Sequence, residues 1–145
     1  MEPPIITERI YISGPMTGLT REQQRERFML AEAMLRHNGY RKIVNPVRTW
    51  VNRFPWLYRI VGYRLTLLYD LFQLTRCHRI YKMPGWKKSR GAQIESCVAY
   101  HFGQYTLTKP LRDIIDAAIQ EVIDRQEKEQ AEQEPPHRIN MTPAG

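Results

Sequence analysis

The sequence predicts an α/β fold: a three-layer, flavodoxin- or Rossmann-like sandwich around a mostly parallel sheet. Three observations carry this. Over 145 residues, short β-branched runs alternate with longer segments of helical periodicity, the order expected of βαβ units. The first three runs each end in a Gly or Pro cluster, at 14–18, 45–46 and 84–85, which marks strand ends sharply. The stretch from Pro84 to Glu95 joins a strand to a helix, the place where open α/β sheets bind ligands.

The elements follow in order. Residues 1–8 read as a Pro-containing leader. Residues 9–13 (Arg-Ile-Tyr-Ile-Ser) form the first strand. Thr20 is the N-cap of a helix to about His37, with Phe28, Ala31 and Leu35 on one face. Asn38-Gly39 closes it, with Gly39 in the left-handed position. A second strand spans 40–44. Residues 47–55 are a loop or short helical turn rich in Arg, Trp and Phe, and Pro55 opens a long helix to about Arg76. That helix is apolar on more than one face (Trp56, Leu57, Ile60, Val61, Leu65, Leu67, Leu68, Leu71, Phe72, Leu74). It is therefore expected to pack on the sheet with one side and on a second subunit with the other. A membrane-surface helix with Arg59 and Arg64 at the headgroups is the alternative. The third strand spans 78–83, a helix covers 94–102, and 104–108 is a further strand. Pro110 opens a last helix to about Arg125. Domain 9–124 is followed by a frayed helix end and a disordered tail over 125–145.

Composition narrows the function classes. The length suits one domain with a real core. No stretch is long and charge-free enough to cross a membrane, and no signal-peptide pattern opens the chain. Cys77 and Cys97 have no metal-ligand or redox spacing, so they are expected reduced and buried, in a cytoplasmic protein. A net charge of +7 points to a phosphorylated ligand, a nucleic acid or a merely basic surface.

Chemistry is concentrated in Trp86-Lys87-Lys88-Ser89-Arg90-Gly91-Ala92-Gln93-Ile94-Glu95. Free N–H groups at a helix start attract anions, and Ser89 with three cations adds to that. Gly91 is expected to turn the chain before the helix, which puts Glu95 in its first turn. There the helix dipole favours the ionised carboxylate of a nucleophile or base. The bland alternative is a common strand-loop-helix unit with a dipole-pairing glutamate. Asp70 sits among Leu67, Leu68, Leu71 and Leu74, where a raised pKa is expected. Its alternative is a surface aspartate paired with Arg64 or Arg76.

Three segments together resemble a known family: Tyr11-Ile12-Ser13-Gly14-Pro15-Met16-Thr17-Gly18, then Asn45-Pro46, then residues 77–86 with Ser89, Gly91, Ala92 and Glu95. They resemble small proteins of unassigned function often met in bacteriophage genomes. That family is in turn similar to the nucleoside 2-deoxyribosyltransferases and the deoxynucleoside 5′-monophosphate N-glycosidases. The resemblance covers roughly residues 9–107. It implies Glu95 as nucleophile, Asp70 as the acid assisting the leaving base, and Tyr11 beside the sugar. It implies Ser13, Gly14, Met16, Thr17, Gly18, Trp86, Ser89 and Gly91 at the substrate, with Ser89 on a 5′-phosphate. These families usually carry an aspartate directly after the position of Cys77, where this chain has His78.

The first expectation is therefore an enzyme that cleaves or transfers at the N-glycosidic bond of a nucleoside or nucleoside 5′-monophosphate, or of a dinucleotide such as NAD. One ionised carboxylate meets an oxocarbenium-like sugar while a raised-pKa acid protonates the base. No metal and no cofactor are implied. The second expectation is a catalytically weak or inactive nucleotide-sequestering protein, favoured by His78. Nucleic-acid binding through Arg76, Arg79, Lys82, Lys87, Lys88 and Arg90 ranks last. The enzyme families imply a homodimer or larger assembly, and a phage-encoded chain would work in the host cytoplasm. Trp86 as base cover competes with plain core packing.

Overall fold

A computed structural model describes residues 3–16, 18–48 and 55–134, with backbone alone at 55–61, 63 and 64. Thr17, residues 49–54 of the Arg/Trp/Phe loop and the expected tail from 135 onward lie outside the described residues, as do the side chains of Trp56, Leu57, Arg59, Ile60, Val61 and Arg64. The elements are β1 (Ile6–Ser13), α1 (Arg21–His37), β2 (Tyr40–Val44), α2 (Pro55–Thr75), β3 (Arg79–Lys82), α3 (Arg90–His101), β4 (Tyr105–Thr106) and α4 (Lys109–Gln133). The four strands form one parallel sheet in the order β2-β1-β3-β4. The α/β sandwich of the Rossmann or flavodoxin type is thus the fold of the chain.

β1 lies inside the sheet, and its two-residue alternation divides the core. Ile10 and Ile12 point to a layer with Phe28, Ala31 and Leu35 of α1 and Ile115, Ile119 and Ile123 of α4. Tyr11 points the other way, to Leu74, Cys77, Ile80 and Ala99 beside α2 and α3. The register pairs Tyr11 with Ile80 and Ser13 with Lys82. Tyr11 and Ser13, two apart, therefore share the α2/α3 face at the carboxyl end of the sheet.

Several local expectations hold. Thr20 caps α1 with a full capping box: its hydroxyl accepts from Gln23 N–H at 3.1 Å, and the Gln23 side chain accepts from Thr20 N–H at 3.0 Å. Gly39 has φ +100. Asn45 ends β2, accepting from Val47 N–H through Oδ1 and donating to the Phe28 carbonyl.

Other expectations are corrected. The leader is not all leader, because β1 begins at Ile6, where Ile6 N–H donates to Gly39 O at 2.8 Å. α2 is not one continuous helix. At Gly62 the backbone leaves helical values (φ 79, ψ 163), a conformation open to glycine without penalty. α4 does not fray at 125 but runs to Gln133. Its extension docks on α1 through the Arg27 guanidinium, which donates to buried Gln126 Oε1 at 2.8 Å, and through the Arg125–Glu26 ion pair. The strands at 78–83 and 104–108 are shorter than expected, at four and two residues. Of the two free cysteines, Cys77 is buried but Cys97 is exposed. Among the described residues no helix is long and apolar enough to cross a membrane.

A Cβ at Gly39 would lie 2.2 Å from the carbonyl oxygen of Pro4, whereas one at Gly18 (φ +83) meets nothing within 4 Å. Gly39→Ala combines a disfavoured φ with a backbone clash, so it is expected to cost more than about 2 kcal/mol in urea unfolding. Gly18→Ala bears the φ penalty alone, about 1 kcal/mol. Equal costs for the two would refute this account of β1–β2 docking.

Candidate active site

Four polar side chains converge on the α2/α3 face. β1 supplies Tyr11, fully buried, and Ser13, at 1% exposure. α2 supplies Asp70 and α3 supplies Glu95, at 5% and 8% exposure. The Tyr11 hydroxyl, Ser13 Oγ, Asp70 Oδ1 and Glu95 Oε2 are all buried without a completed hydrogen bond. They are nonetheless close enough to act on one another. The Tyr11 and Ser13 hydroxyls draw on the Glu95 carboxylate, and the Asp70 charge reaches both Glu95 and Tyr11. Leaving a polar atom buried and unpaired costs about 1–3 kcal/mol. A fold that gathers four in one place carries a local cost that core packing does not explain, and such concentrations mark functional sites.

The placement of Asp70 follows from helix geometry. On α2, Thr66, Asp70 and Leu74 are buried at four-residue spacing, while Leu65, Leu68 and Phe72 are exposed. Asp70 is therefore not the surface aspartate of the alternative reading. The polar residue faces inward and the large apolar ones face out. Burial raises the Asp70 pKa to about 7.

Glu95 corrects a sharper expectation. Ser89 is the N-cap of α3, its Oγ accepting from Ala92 N–H at 3.4 Å, so the helix starts at Arg90 and Glu95 lies in the second turn. The dipole effect is about 0.3–1 kcal/mol and fades beyond the first turn. Burial dominates instead. It lifts the Glu95 pKa to about 8, with the Asp70 charge adding to the rise and the Ser13 and Tyr11 hydroxyls opposing it. That displacement is roughly 4–5 kcal/mol of preference for the neutral acid. Tyr11 is pushed well above its ordinary value, first by burial and then by the two carboxylates, so it remains a donor. Two carboxyls titrating this close together exchange protons as a pair.

The other expected site residues divide. Gly14 closes the turn after Ser13 against Met83, where a Cβ would come within 2.5 Å of Met83 Cε. Met16 packs on the α1/α4 layer, with its carbonyl accepting from Gln24 Nε2 at 2.8 Å, and is not gathered with Glu95. Gly18 is exposed and Thr17 lies outside the described residues. Gly91 does not turn the chain ahead of the helix; it is inside the first turn of α3. Trp86 is half-buried and is not core. Lys82 Nζ stands 4.3 Å and Lys87 Nζ 5.8 Å from its ring centroid. Lys82 was expected only in the nucleic-acid stripe. It also donates to Ser96 Oγ at 3.3 Å, and its only sequence signal is that it ends the strand beside Ser13.

His78 is exposed at the amino end of β3. Its Nδ1 accepts from Arg9 N–H at 3.1 Å, and its own N–H donates to Arg9 O at 2.8 Å. A ring nitrogen thus fills an acceptor position that a carboxylate could fill, at the end of the sheet away from Ser13. The cations read as a nucleic-acid stripe also divide. Arg79 pairs with Glu8 at 2.7 Å where β3 begins, while Lys87, Lys88 and Arg90 follow its carboxyl end.

A family model described as a domain of unknown function (DUF4406) matches residues 8–107. The chain belongs to the DUF4406 family. No curated protein and no solved structure matches it. The DUF4406 span contains Tyr11, Ser13, Asp70 and Glu95 and stops where β4 ends and α4 begins. Among the described residues no group of His, Cys, Asp and Glu side chains could hold a metal ion.

The buried carboxyls make a stability prediction. Both have folded-state pKa values raised above those of the unfolded chain, so the folded state binds the extra protons. Their contribution is fully favourable below about pH 4 and is lost as pH rises through about 7 and 8. Glu95→Gln and Asp70→Asn are each expected to raise unfolding stability at pH 8.5 by on the order of 3 kcal/mol relative to their effect at pH 5. Chemical denaturation at the two pH values checks this, and a pH-independent effect contradicts it.

Proposed function

We propose that the DUF4406 chain cleaves or transfers at the N-glycosidic bond of a nucleoside or nucleoside 5′-monophosphate. The observation that carries the reading is the buried set Glu95, Asp70, Tyr11 and Ser13, four polar groups gathered without completed hydrogen bonds. Such a reaction needs two carboxyls with different protonation. The Tyr11 and Ser13 hydroxyls bear on Glu95 alone and stabilise its ionised form. Burial is the main cause of the Asp70 rise. Of the two states that share one proton, the ligand-free site favours the one with Asp70 ionised, since Glu95 is raised further; the chemistry runs through the other, with Glu95 ionised and Asp70 protonated, which donors to Glu95 favour. Glu95 Oε attacks the anomeric carbon as the bond to the base breaks, and the Asp70 proton goes to the departing base nitrogen. Water or a second base then displaces Glu95 from the sugar, returning the carboxylate. The resemblance to the nucleoside 2-deoxyribosyltransferases and deoxynucleoside 5′-monophosphate N-glycosidases supports the same roles. So does the Ser89 cap at the start of α3, beside exposed Arg90, for the 5′-phosphate.

The reading extends to a homodimer. Leu65, Leu68 and Phe72, each more than half exposed, form an apolar stripe on the helix that carries Asp70. A second copy seated there would bury it. The second reading, a sequestering protein, rests on His78, whose Nδ1 accepts from Arg9 N–H at the end of β3 away from Ser13.

Three results test the reading. Free base is expected from at least one member of a panel of nucleosides, nucleoside monophosphates and NAD, and Glu95→Gln should abolish it, a loss of about 10³-fold or more. Bound ligand without base release would leave a sequestering protein. The kcat/KM profile should be a narrow bell, rising through about pH 7 and falling near 8, because both limbs belong to the raised carboxyl pair. A plateau extending down to pH 5 would remove the pair from the mechanism. In sedimentation velocity the protein should run as a dimer and Leu68→Glu/Phe72→Glu as a monomer; a wild-type monomer refutes the dimer.

A further inference from the structure

A second cavity lies apart from the carboxylate cluster. It holds about 590 Å³, a volume within the usual range for small-molecule sites, and opens beyond the carboxyl ends of β3 and β4. Neither Glu95, Asp70, Tyr11 nor Ser13 lines it. Its walls carry Lys82 from β3, Lys87 and Lys88 from the following turn, and Arg112 from the first turns of α4, with Asp113 and Asp116 on the same helix as Arg112.

The charges in this cavity are not matched internally. Asp116 is engaged by Tyr81, whose hydroxyl donates to Oδ1 at 2.6 Å. Among the described residues, none of the four cations forms an ion pair. Lys82 and Lys87 instead share the face of one indole, Trp86. The crowding is felt: the Lys82 ammonium is disfavoured by burial and further by the charges of Arg112 and Lys87. The amino end of α4 adjoins the same walls through Thr106 and Leu107, and its cap residue Thr108 makes no side-chain cap bond. A 25-residue helix presents partial positive charge there. Cations that outnumber the carboxylates of a concave site give it a positive potential that favours a bound anion.

We propose that this cleft binds a small polyphosphate anion, such as the diphosphate or triphosphate group of a nucleotide, at a site separate from the Glu95 cluster. Four cations line this space against Asp116, with Asp113 exposed to solvent, and leave more positive charge than one phosphate monoester neutralises at pH 7. Lys82 connects the two regions. It touches Trp86 in the cleft and Ser96 on α3, the residue next to Glu95. An anion that draws Lys82 toward the cleft would therefore act on the helix that carries the nucleophile.

Calorimetric titration with inorganic pyrophosphate and tripolyphosphate tests the proposal without any turnover. Saturable one-to-one binding is expected. Arg112→Gln and exposed Lys87→Gln should each weaken it about tenfold or more, the loss of one charge-assisted contact. Lys42→Gln, on exposed β2 surface, removes the same charge elsewhere and should leave binding unchanged. Glu95→Gln should also leave it unchanged, so the result is independent of whether the chain proves to be a glycosidase. No saturable binding overturns the proposal. Equal weakening by Lys42→Gln also overturns it, since the effect would then be net charge, and so does loss of binding in Glu95→Gln, which would move the anion to the carboxylate cluster. Tighter binding of a single-stranded oligonucleotide through Lys87 and Arg112 would overturn it in favour of a nucleic-acid surface.

Discussion

The alternation of a single central strand sets what the rest of the molecule can do. β1 is paired on both edges, so its side chains have only two directions to point. Ile10 and Ile12 are committed to the α1/α4 layer. Tyr11 and Ser13 are thereby committed to the α2/α3 layer, and their hydroxyls must be buried with them. A one-residue slip in register would exchange the two sets and place isoleucines where the hydroxyls now meet Glu95. The parallel pairing of Tyr11 with Ile80 and Ser13 with Lys82 therefore fixes both the core and the polar cluster.

Desolvation decides the character of that cluster. Hydroxyl donors and the Asp70 charge both act on Glu95, but burial outweighs each of them. The carboxyls are acids near neutrality rather than fixed anions, and their proton can move with small changes in surroundings. A bound ligand that supplies positive charge, or donors to Glu95, would tip the pair toward one ionised and one neutral member. That difference is what acid-assisted departure of a base requires.

Much of this was legible in the sequence, and the failures have identifiable causes. The strand-helix order, the Thr20 cap and the Gly39 turn were readable because each depends on a local signal that tertiary structure does not override. Glu95 and Asp70 were both singled out, and the raised Asp70 pKa was expected, but the raised Glu95 pKa was not. Gly91 suggested a turn ahead of the helix, whereas Ser89 three residues before Ala92 was the true start signal. α2 is apolar on several sides, so periodicity did not reveal that Asp70 faces inward while Leu65, Leu68 and Phe72 face out. Gly62 was passed over because one glycine in an apolar run is tolerated in many helices. The extension of α4 depends on Gln126 meeting Arg27 across 99 residues, and the basic cleft depends on Arg112 returning to the end of β3. Contacts of that range leave no local trace.

The central claim is that two buried carboxyls share protons near neutral pH, and carboxyl-carbon NMR of protein labelled at Asp and Glu side chains tests it most directly. In the ligand-free protein, two resonances, assigned by Glu95→Gln and Asp70→Asn, should titrate at about 8 and about 7. The Glu95 midpoint should fall when Asp70 is replaced by Asn, because the repelling charge is gone. Titration of both groups in the ordinary carboxylate range near 4, with neither sensitive to the other, would contradict the account.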